Sequence, residues 1–400
     1  MSRHDSYVPR VLLILPTASY RAADFITAAR HLGVEVVVGS EQPQALADSM
    51  GDRSVLVPLD DRDAAIDAIA ALHQRSPLDA VVAVDDQGVL IAALAAARLG
   101  LPHNPFDAVA ATRDKAAMRH AFAAAGVPQP RFEVAEREPT GSVGFPCVIK
   151  PLSLSASRGV IRADDPVAAA IAAARVRAMV DGPLVVEEYV PGVEVAVEGL
   201  LRAGRLEVLA VFDKPDPLEG PYFEETIYVT PSRLAPELLA AIERVAADAA
   251  AALGLVEGPV HAELRIDADR VVMLELAARS IGGRCSRALR FGAGISLEEV
   301  VLRHALGLPL TDLRREAAAA GVMMIPIPGA GTLEAVHGRD ACRAVPGVVG
   351  LEITIAPGRP VQPLPEGDRY LGFIIARGTT PDAVEGALRA GHACLDIVIA

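Results

Sequence analysis

Residues 259–279, PVHAELRIDADRVVMLELAAR, decide how this chain folds. Two apolar runs, PVHAELRI (259–266) and RVVMLELAAR (270–279), flank a short Asp-Ala-Asp turn, which makes them an antiparallel hairpin. At period two, Val260, Ala262, Leu264 and Ile266 share one face of the first strand, and His261, Glu263 and Arg265 share the other. In the second strand Val271, Met273, Glu275, Ala277 and Arg279 share a face. If pairing puts Glu263 and Glu275 on the same side, two carboxylates converge on a largely apolar sheet, and they repel unless cations lie between them. Hard oxygen ligands of this kind suit Mg2+ carried with substrate phosphates. Arg279, four residues beyond Glu275, is placed to meet the same anion. A solvated sheet face with a salt bridge would show the same spacing.

Outward from the hairpin, the first hundred residues alternate strand and helix. VLLIL (11–15), VEVVVG (34–39), SVLVPL (54–59) and AVVAVDD (80–86) read as strands, with helical stretches between them such as 21–32, closed by Gly33. This βαβα order predicts a doubly wound parallel sheet, and no GxGxxG follows the first strand. A helix is predicted over 105–126 and a strand over 145–151, followed by the small-residue run SLSASRGV (153–160). Another helix is expected over 166–180 and a strand over 184–190. Residues 193–230 alternate at period two and read as antiparallel sheet, and 236–253 is strongly helical. The tail holds short strands and one late helix, 381–393. The expected fold class is therefore α/β and α+β. A doubly wound N-terminal domain (1–104) precedes a middle domain (105–307) with a subdomain at about 136–192, and a small α+β unit (308–400) ends the chain.

Composition excludes several classes. The net charge of -13 argues against nucleic acid or an anionic membrane as the main partner. Four widely spaced cysteines form no CxxC pair, so neither a zinc site nor a disulfide framework is signalled. The apolar run 11–15 is too short for a signal peptide core or a membrane span, and a cytoplasmic location is expected. Lysine is scarce: Lys115, Lys150 and Lys214 are the three among thirty-eight basic residues. Where either cation would serve, the chain uses arginine. A lysine that survives this bias marks a place where a planar fork fails, such as a narrow pocket around a phosphate oxygen.

Three further segments carry chemistry. The run after Lys150 lets backbone N–H groups approach a phosphate, although it is no Walker A motif. VVEEYVPGVE (185–194) is a strand running into a Pro-Gly turn, where backbone groups can meet an adenine edge and Glu194 can accept from ribose hydroxyls. Taken in order, a helix lysine, a strand lysine with its small-residue loop, EEYVPGVE, and then Glu-x11-Glu-x3-Arg resemble the ATP-grasp superfamily over residues 105–307. The resemblance implies two α+β subdomains clamping ATP. It implies that Lys115, Lys150 and the loop residues Ser155, Ser157 and Gly159 face the phosphates, and that Glu187 and Val190 hold adenine and Glu194 ribose. Glu263 and Glu275 would hold Mg2+, for which Mn2+ is a substitute, and Arg279 would stabilise the transferred phosphoryl group.

Many family members carry Asn or Asp two residues after the second metal-binding Glu, and here that position is Ala277. Biotin carboxylases, similar in layout, keep the Asn. The chain more closely resembles the L-amino-acid ligases, which have apolar residues there, a His two before the first Glu (His261 here), and a stretch like DKP…PYFEETIYVTPS. His261 thus becomes a catalytic-site candidate beside Arg279. Lys214 either reaches the amino-acid substrate or caps a loop, and RSIGGRCSR supplies Ser280, Gly282, Gly283 and Arg287 as candidates for the substrate carboxylate. DRYLGFIIARG (368–378) resembles the small C-terminal domain of these ligases and is expected to wall the acceptor pocket. The implied activity is an ATP-dependent carboxylate–amine ligase working through an acyl phosphate on small-molecule substrates, and a homodimer fits the architecture. Two alternatives stand beside it: a carboxylase or purine-pathway ligase, and a nucleotide-binding module without turnover.

Overall fold

A computed structural model describes residues 7–17, 19–43 and 50–400, so the start of the polar N-terminal stretch lies outside the described residues. Strands β1 (Arg10–Ile14), β2 (Glu35–Ser40), β3 (Ser54–Leu56) and β4 (Ala80–Ala83) form a parallel sheet in the order β3-β2-β1-β4. The first crossover is a helix, Ala22–Leu32, closed by Gly33 in the left-handed conformation (φ 67°). The order reverses between β1 and β4. The segments leaving their carboxyl ends, which carry Tyr20, Arg21, Asp85 and Asp86, therefore open onto the crevice where such sheets bind ligands.

The helix expected over 105–126 is two helices, Phe106–Thr112 and Lys115–Ala125. Asp114 is the reason: its carboxylate accepts from the N–H groups of Ala116 (2.9 Å) and Ala117 (3.0 Å) and caps a new start, which puts Lys115 at the first helical position. A lid follows, built from β5 (Phe132–Ala135), β6 (Cys147–Pro151), β7 (Ile161–Ala163) and β8 (Leu184–Glu188) in the order β5-β8-β6-β7. Cys147, Ile149, Leu184 and Val186 pack on the helix Pro166–Arg177. Alternation sends Val148, Lys150, Val185 and Glu187 to the opposite face, toward the rest of the molecule.

β9 (Val193–Arg202), β10 (Arg205–Lys214), β11 (Ile227–Thr230), β12 (Gly258–Asp267), β13 (Arg270–Ala277), β14 (Ala319–Ile325), β16 (Val348–Ile353) and β18 (Gly372–Gly378) make one antiparallel sheet, ordered β13-β12-β9-β10-β11-β14-β18-β16. One face of its β13–β9 end buries Val195, Val197, Val260, Ala262, Leu264 and Met273 against the helix Pro236–Leu253. The other face presents Glu194 and Glu198 from β9, and His261, Glu263 and Arg265 from β12. β15 (Gly331–His337), β17 (Pro360–Val361) and β19 (Asp396–Ile399) form a small separate sheet. The C-terminal unit expected from residue 308 is thus not freestanding, because β11 pairs with β14 and carries the central sheet across that boundary.

Candidate functional site

The lid, the central sheet, the N-terminal crevice and the C-terminal strands enclose a cavity of about 400 Å³. Its floor is the β12–β13 hairpin, where Glu263 lies directly opposite Glu275 and His261 opposite Ala277. Alternation alone does not produce that arrangement. Met273 pairs with Leu264 and is buried with it in the core, as are Val271 and Ile266, so strict period two would send Glu275 into the core as well. A bulge at Leu274 supplies an extra residue and turns Glu275 and Ala277 to the cavity side, together with Leu274 itself. The expectation that Val271, Met273 and Glu275 share a face is therefore corrected. Arg119, 2% exposed, holds the bulge: its guanidinium donates to the carbonyls of Met273 (3.4 Å) and Leu274, and the Met273 N–H donates to Pro128 O (2.8 Å).

Arg119 also donates from Nε to Glu187 Oε1 (2.7 Å), and Lys150 Nζ reaches Glu187 Oε2 (2.7 Å). Burial alone would raise the Glu187 carboxyl, but these two cations hold it at about 2. The Glu187 side chain is fully engaged, which leaves its backbone as the part able to meet a base. Val190 lines the cavity while its carbonyl accepts from Arg265 Nη1 (2.7 Å). Lys115 Nζ donates to Leu154 O (2.9 Å) and pairs with Glu275 (3.2 Å). Ser155 and Ser157 line the cavity at the lid tip, where Ala156 and Ser157 take left-handed φ values of 57° and 56°. Such a strained pair of turns, rare for non-glycine residues, aims successive N–H groups into a concavity. Gly159 is not at the wall; its N–H donates to Pro365 O at 2.9 Å.

The third lysine has a different setting from either expected one. Lys214 caps no loop and points into a cluster of carboxylates. It is buried, and Nζ contacts Glu194 (2.7 Å), Glu263 (2.9 Å) and Glu225 (3.0 Å), with the Tyr228 ring 4.9 Å away. Desolvation would lower the ammonium, but the three carboxylates raise it well above its ordinary range. Burial raises the Glu225 carboxyl to about 7, while Lys214 and His261 keep Glu263 well below the usual carboxylate range. Glu194 is held by Lys214 and, through Oε2, by Arg265 Nε (3.0 Å), so its carboxylate is already committed on both sides. Oxygens of Glu194, Glu225 and Glu263 lie within 4.8 Å of one another, a hard-donor set of the kind a divalent cation takes.

Arg279 projects into the cavity from the end of β13 and donates to Asp86 Oδ2 (3.0 Å), while Arg113 pairs with Asp86 Oδ1 (3.2 Å). These cations, with Lys115, hold Asp86 at about 2 although burial opposes it. His261 lies with Nε2 3.6 Å from Glu263 and Nδ1 3.9 Å from Glu198, and burial lowers its pKa. Gly282 and Gly283 line the cavity, where the Gly283 N–H donates to the Tyr20 hydroxyl (2.8 Å). Ser280 and Arg287 do not serve as expected. The Ser280 hydroxyl is buried against Arg21 (2.6 Å), and Arg287 turns away to Asp24 (3.0 Å) and Glu352 (3.3 Å). Glu198, Glu225, Arg265, Asp86, Arg119 and Tyr370 were missed. Glu198 had a usable local signal, lying four residues after Glu194 on the same face of an otherwise apolar strand, as did Arg265, two residues after Glu263 on its face, and Tyr370, within the segment 368–378.

Comparison with known proteins gives this geometry a family. Residues 143–288 match the model of the ATP-grasp domain, 26–103 that of the ATP-grasp N-terminal domain, and 323–400 that of L-amino acid ligase C-terminal domain 2. The L-amino acid ligase from Bacillus licheniformis superposes with a TM-score of 0.83 at 26% identity, covering 98% of this chain and 99% of that one. N5-carboxyaminoimidazole ribonucleotide synthetase from Thermotoga maritima gives 0.73 at 16% identity over 98% and 100%. The biotin carboxylase–β,γ-ATP complex from Campylobacter jejuni gives 0.70 at 16% over 98% and 92%. At that identity these two share the fold. A relative from Sinorhizobium fredii, the uncharacterized protein y4rH, is 22% identical over 383 residues, 92% of this chain and 78% of its own. With these domain models matched along the chain and the superposition over 98% of it, this chain is an ATP-grasp ligase close in structure to the L-amino acid ligases.

Proposed function

We propose that this ligase joins a carboxylate to an amine, with an amino acid as one substrate, through an acyl phosphate. The observation that carries the reading is the C-terminal wall of the cavity. Met324 and Tyr370 face the site from the region that matches an L-amino acid ligase domain. On this reading Lys115, Lys150 and the 155–157 turn, which line the cavity, face the phosphates of ATP, and the 187–190 backbone meets adenine. Glu263 and Glu275 fit Mg2+ by donor type and by their opposed register. A bound Mg2+ would neutralise charge on the phosphates. Arg279 is oriented by Asp86 and stabilises negative charge developing on the moving phosphoryl group. His261, buried at the cavity wall where burial lowers its pKa, is suited to accept a proton from an attacking amine.

No cavity-facing cysteine or serine is needed as a nucleophile, because positioning and charge neutralisation carry the reaction. Tested against pools of amino acids, the protein is expected to release ADP and phosphate, with a product heavier than either substrate by mass spectrometry. Release with bicarbonate alone, and no dipeptide from any pair, would favour the carboxylase reading instead. Ala277 in place of a third metal-binding side chain supports the amino-acid reading over the biotin type. A cytoplasmic location and a homodimer belong to the same proposal; light scattering tests the second. Among the described residues no helix is long and apolar enough to cross a membrane.

A further inference from the structure

Residues 362–370 connect two places that the reaction needs at once. On the inner side, Asp368 and Tyr370 line the cavity, and the Tyr370 hydroxyl donates to Glu225 Oε2 (3.2 Å). On the outer side the same segment grips the lid. The Gly159 N–H donates to Pro365 O (2.9 Å) and Arg158 Nε to Glu366 O (3.1 Å). Arg175, on the lid helix, forks the Glu366 carboxylate with Nε at 2.5 Å and Nη2 at 3.0 Å. The lid is also tied to the β10–β11 connection: Arg162 donates from its backbone N–H to Pro221 O (2.9 Å) and from Nη1 to Glu219 O (2.8 Å), and Arg175 Nη1 donates to the Tyr222 hydroxyl, contacts that hold β7 and the lid helix and not the tip.

The gripping segment is itself rigidly built. The Gly367 N–H closes a turn onto Pro363 O (2.9 Å), and a Cβ at Gly367 would lie 2.1 Å from Gln362 O, so no larger residue fits there. The turn held on the lid side is the strained one. Ala156, Ser157 and Gly159 all have positive φ, and such a turn keeps its shape only where its surroundings fix it.

We propose that Glu366 is a positioning residue for nucleotide binding: with the Pro365 carbonyl it holds the 155–159 turn over the phosphates, so the C-terminal segment sets the affinity for ATP. The inference rests on the nucleotide reading of the cavity. The ion pair is partly exposed, at 41% for the Arg175 side chain and 32% for Glu366. Its loss corresponds to a modest change, about three- to fivefold in affinity.

The test is calorimetric titration of Mg-ATP into the full chain and into Glu366→Gln, Arg175→Met, the double variant and the charge exchange Glu366→Arg/Arg175→Glu. Each single variant is expected to bind about three- to fivefold more weakly, the double no more weakly than either single, and the exchange to recover most of the loss. Melting temperatures should stay at the wild-type value. Hydrogen exchange at the 155–160 amides of the unliganded protein should quicken in both single variants. Wild-type ATP affinity in both singles, or a double variant weakened by the product of the two, would overturn the proposal. A wild-type chain that binds no ATP refutes the nucleotide reading. In that case unchanged exchange at 155–160 in the variants refutes the clasp as well.

Discussion

Replacing Glu198 by Gln should make the protein more stable at alkaline pH than the wild type, and the size of the gain follows from how the carboxyl is buried. Glu198 is 0% exposed. Its Oε2 accepts the Ile281 N–H (2.9 Å), and its Oε1 has no partner. Burial raises the carboxyl from 4.5 to about 8, with Glu298 adding to the shift and the Ile281 N–H, Arg21 and Arg279 opposing it. Between those two values the folded protein keeps a proton that the unfolded chain has already released. The stabilisation is therefore complete below pH 4.5 and is lost as pH rises toward 8. At roughly 1.4 kcal/mol per pH unit, the whole window carries at most on the order of 5 kcal/mol. Gln keeps the shape and neutrality of the protonated acid and does not titrate. Denaturant unfolding of both proteins should give similar stabilities near pH 5 and a gap that widens toward pH 8–9, by about 3 kcal/mol or more in favour of the variant. Parallel stability curves across that range would refute the claim that this carboxyl enters the fold as a neutral acid.

Three other substitutions test the charged framework. Lys150→Arg places a wider fork where Nζ lies 2.7 Å from a Glu187 carboxylate that Arg119 already holds, so Mg-ATP affinity by titration should fall about tenfold or more; unchanged affinity would remove the phosphate role of that ammonium. Glu275→Ala should lower ADP release by about 100-fold or more while circular dichroism and melting remain wild-type, because the carboxylate faces the cavity and pairs there with Lys115. Retained turnover would refute the assignment of Glu275 to the metal. Lys214→Met leaves Glu194, Glu225 and Glu263 converging without their shared cation, a loss of about 3–5 kcal/mol in denaturant unfolding, part of which added Ca2+ or Mg2+ should recover. A loss under about 1 kcal/mol would show that the cluster relaxes by taking up protons.

What the sequence reveals about this site depends on how far apart the interacting residues lie. The helix end at Gly33, the helix over 236–253, the hairpin turn at 267–269 and the order of the motif segments are local, and each appears in the structure where the chain alone places it. Lys214 was not legible, because its three carboxylates come from β9, β12 and the approach to β11, and nothing near DKPDP indicates that they converge. Arg287 misled for the converse reason: an arginine beside a Gly-Gly turn looks ready for a carboxylate, but Asp24, on the first helix, already takes it.

Glu275 shows the physical limit most clearly. Strict alternation places it beside Met273 against the helix Pro236–Leu253, where an unpaired carboxylate would cost several kcal/mol or have to take up a proton. A bulge avoids that cost but frees backbone groups that need partners of their own. Arg119 and Pro128 supply them, from more than a hundred residues earlier in the chain. The same guanidinium binds Glu187, which binds Lys150. One buried arginine thus fixes the direction of Glu275 on the floor and ties that floor to the lid's lysine, a coupling that no local pattern in 259–279 could encode.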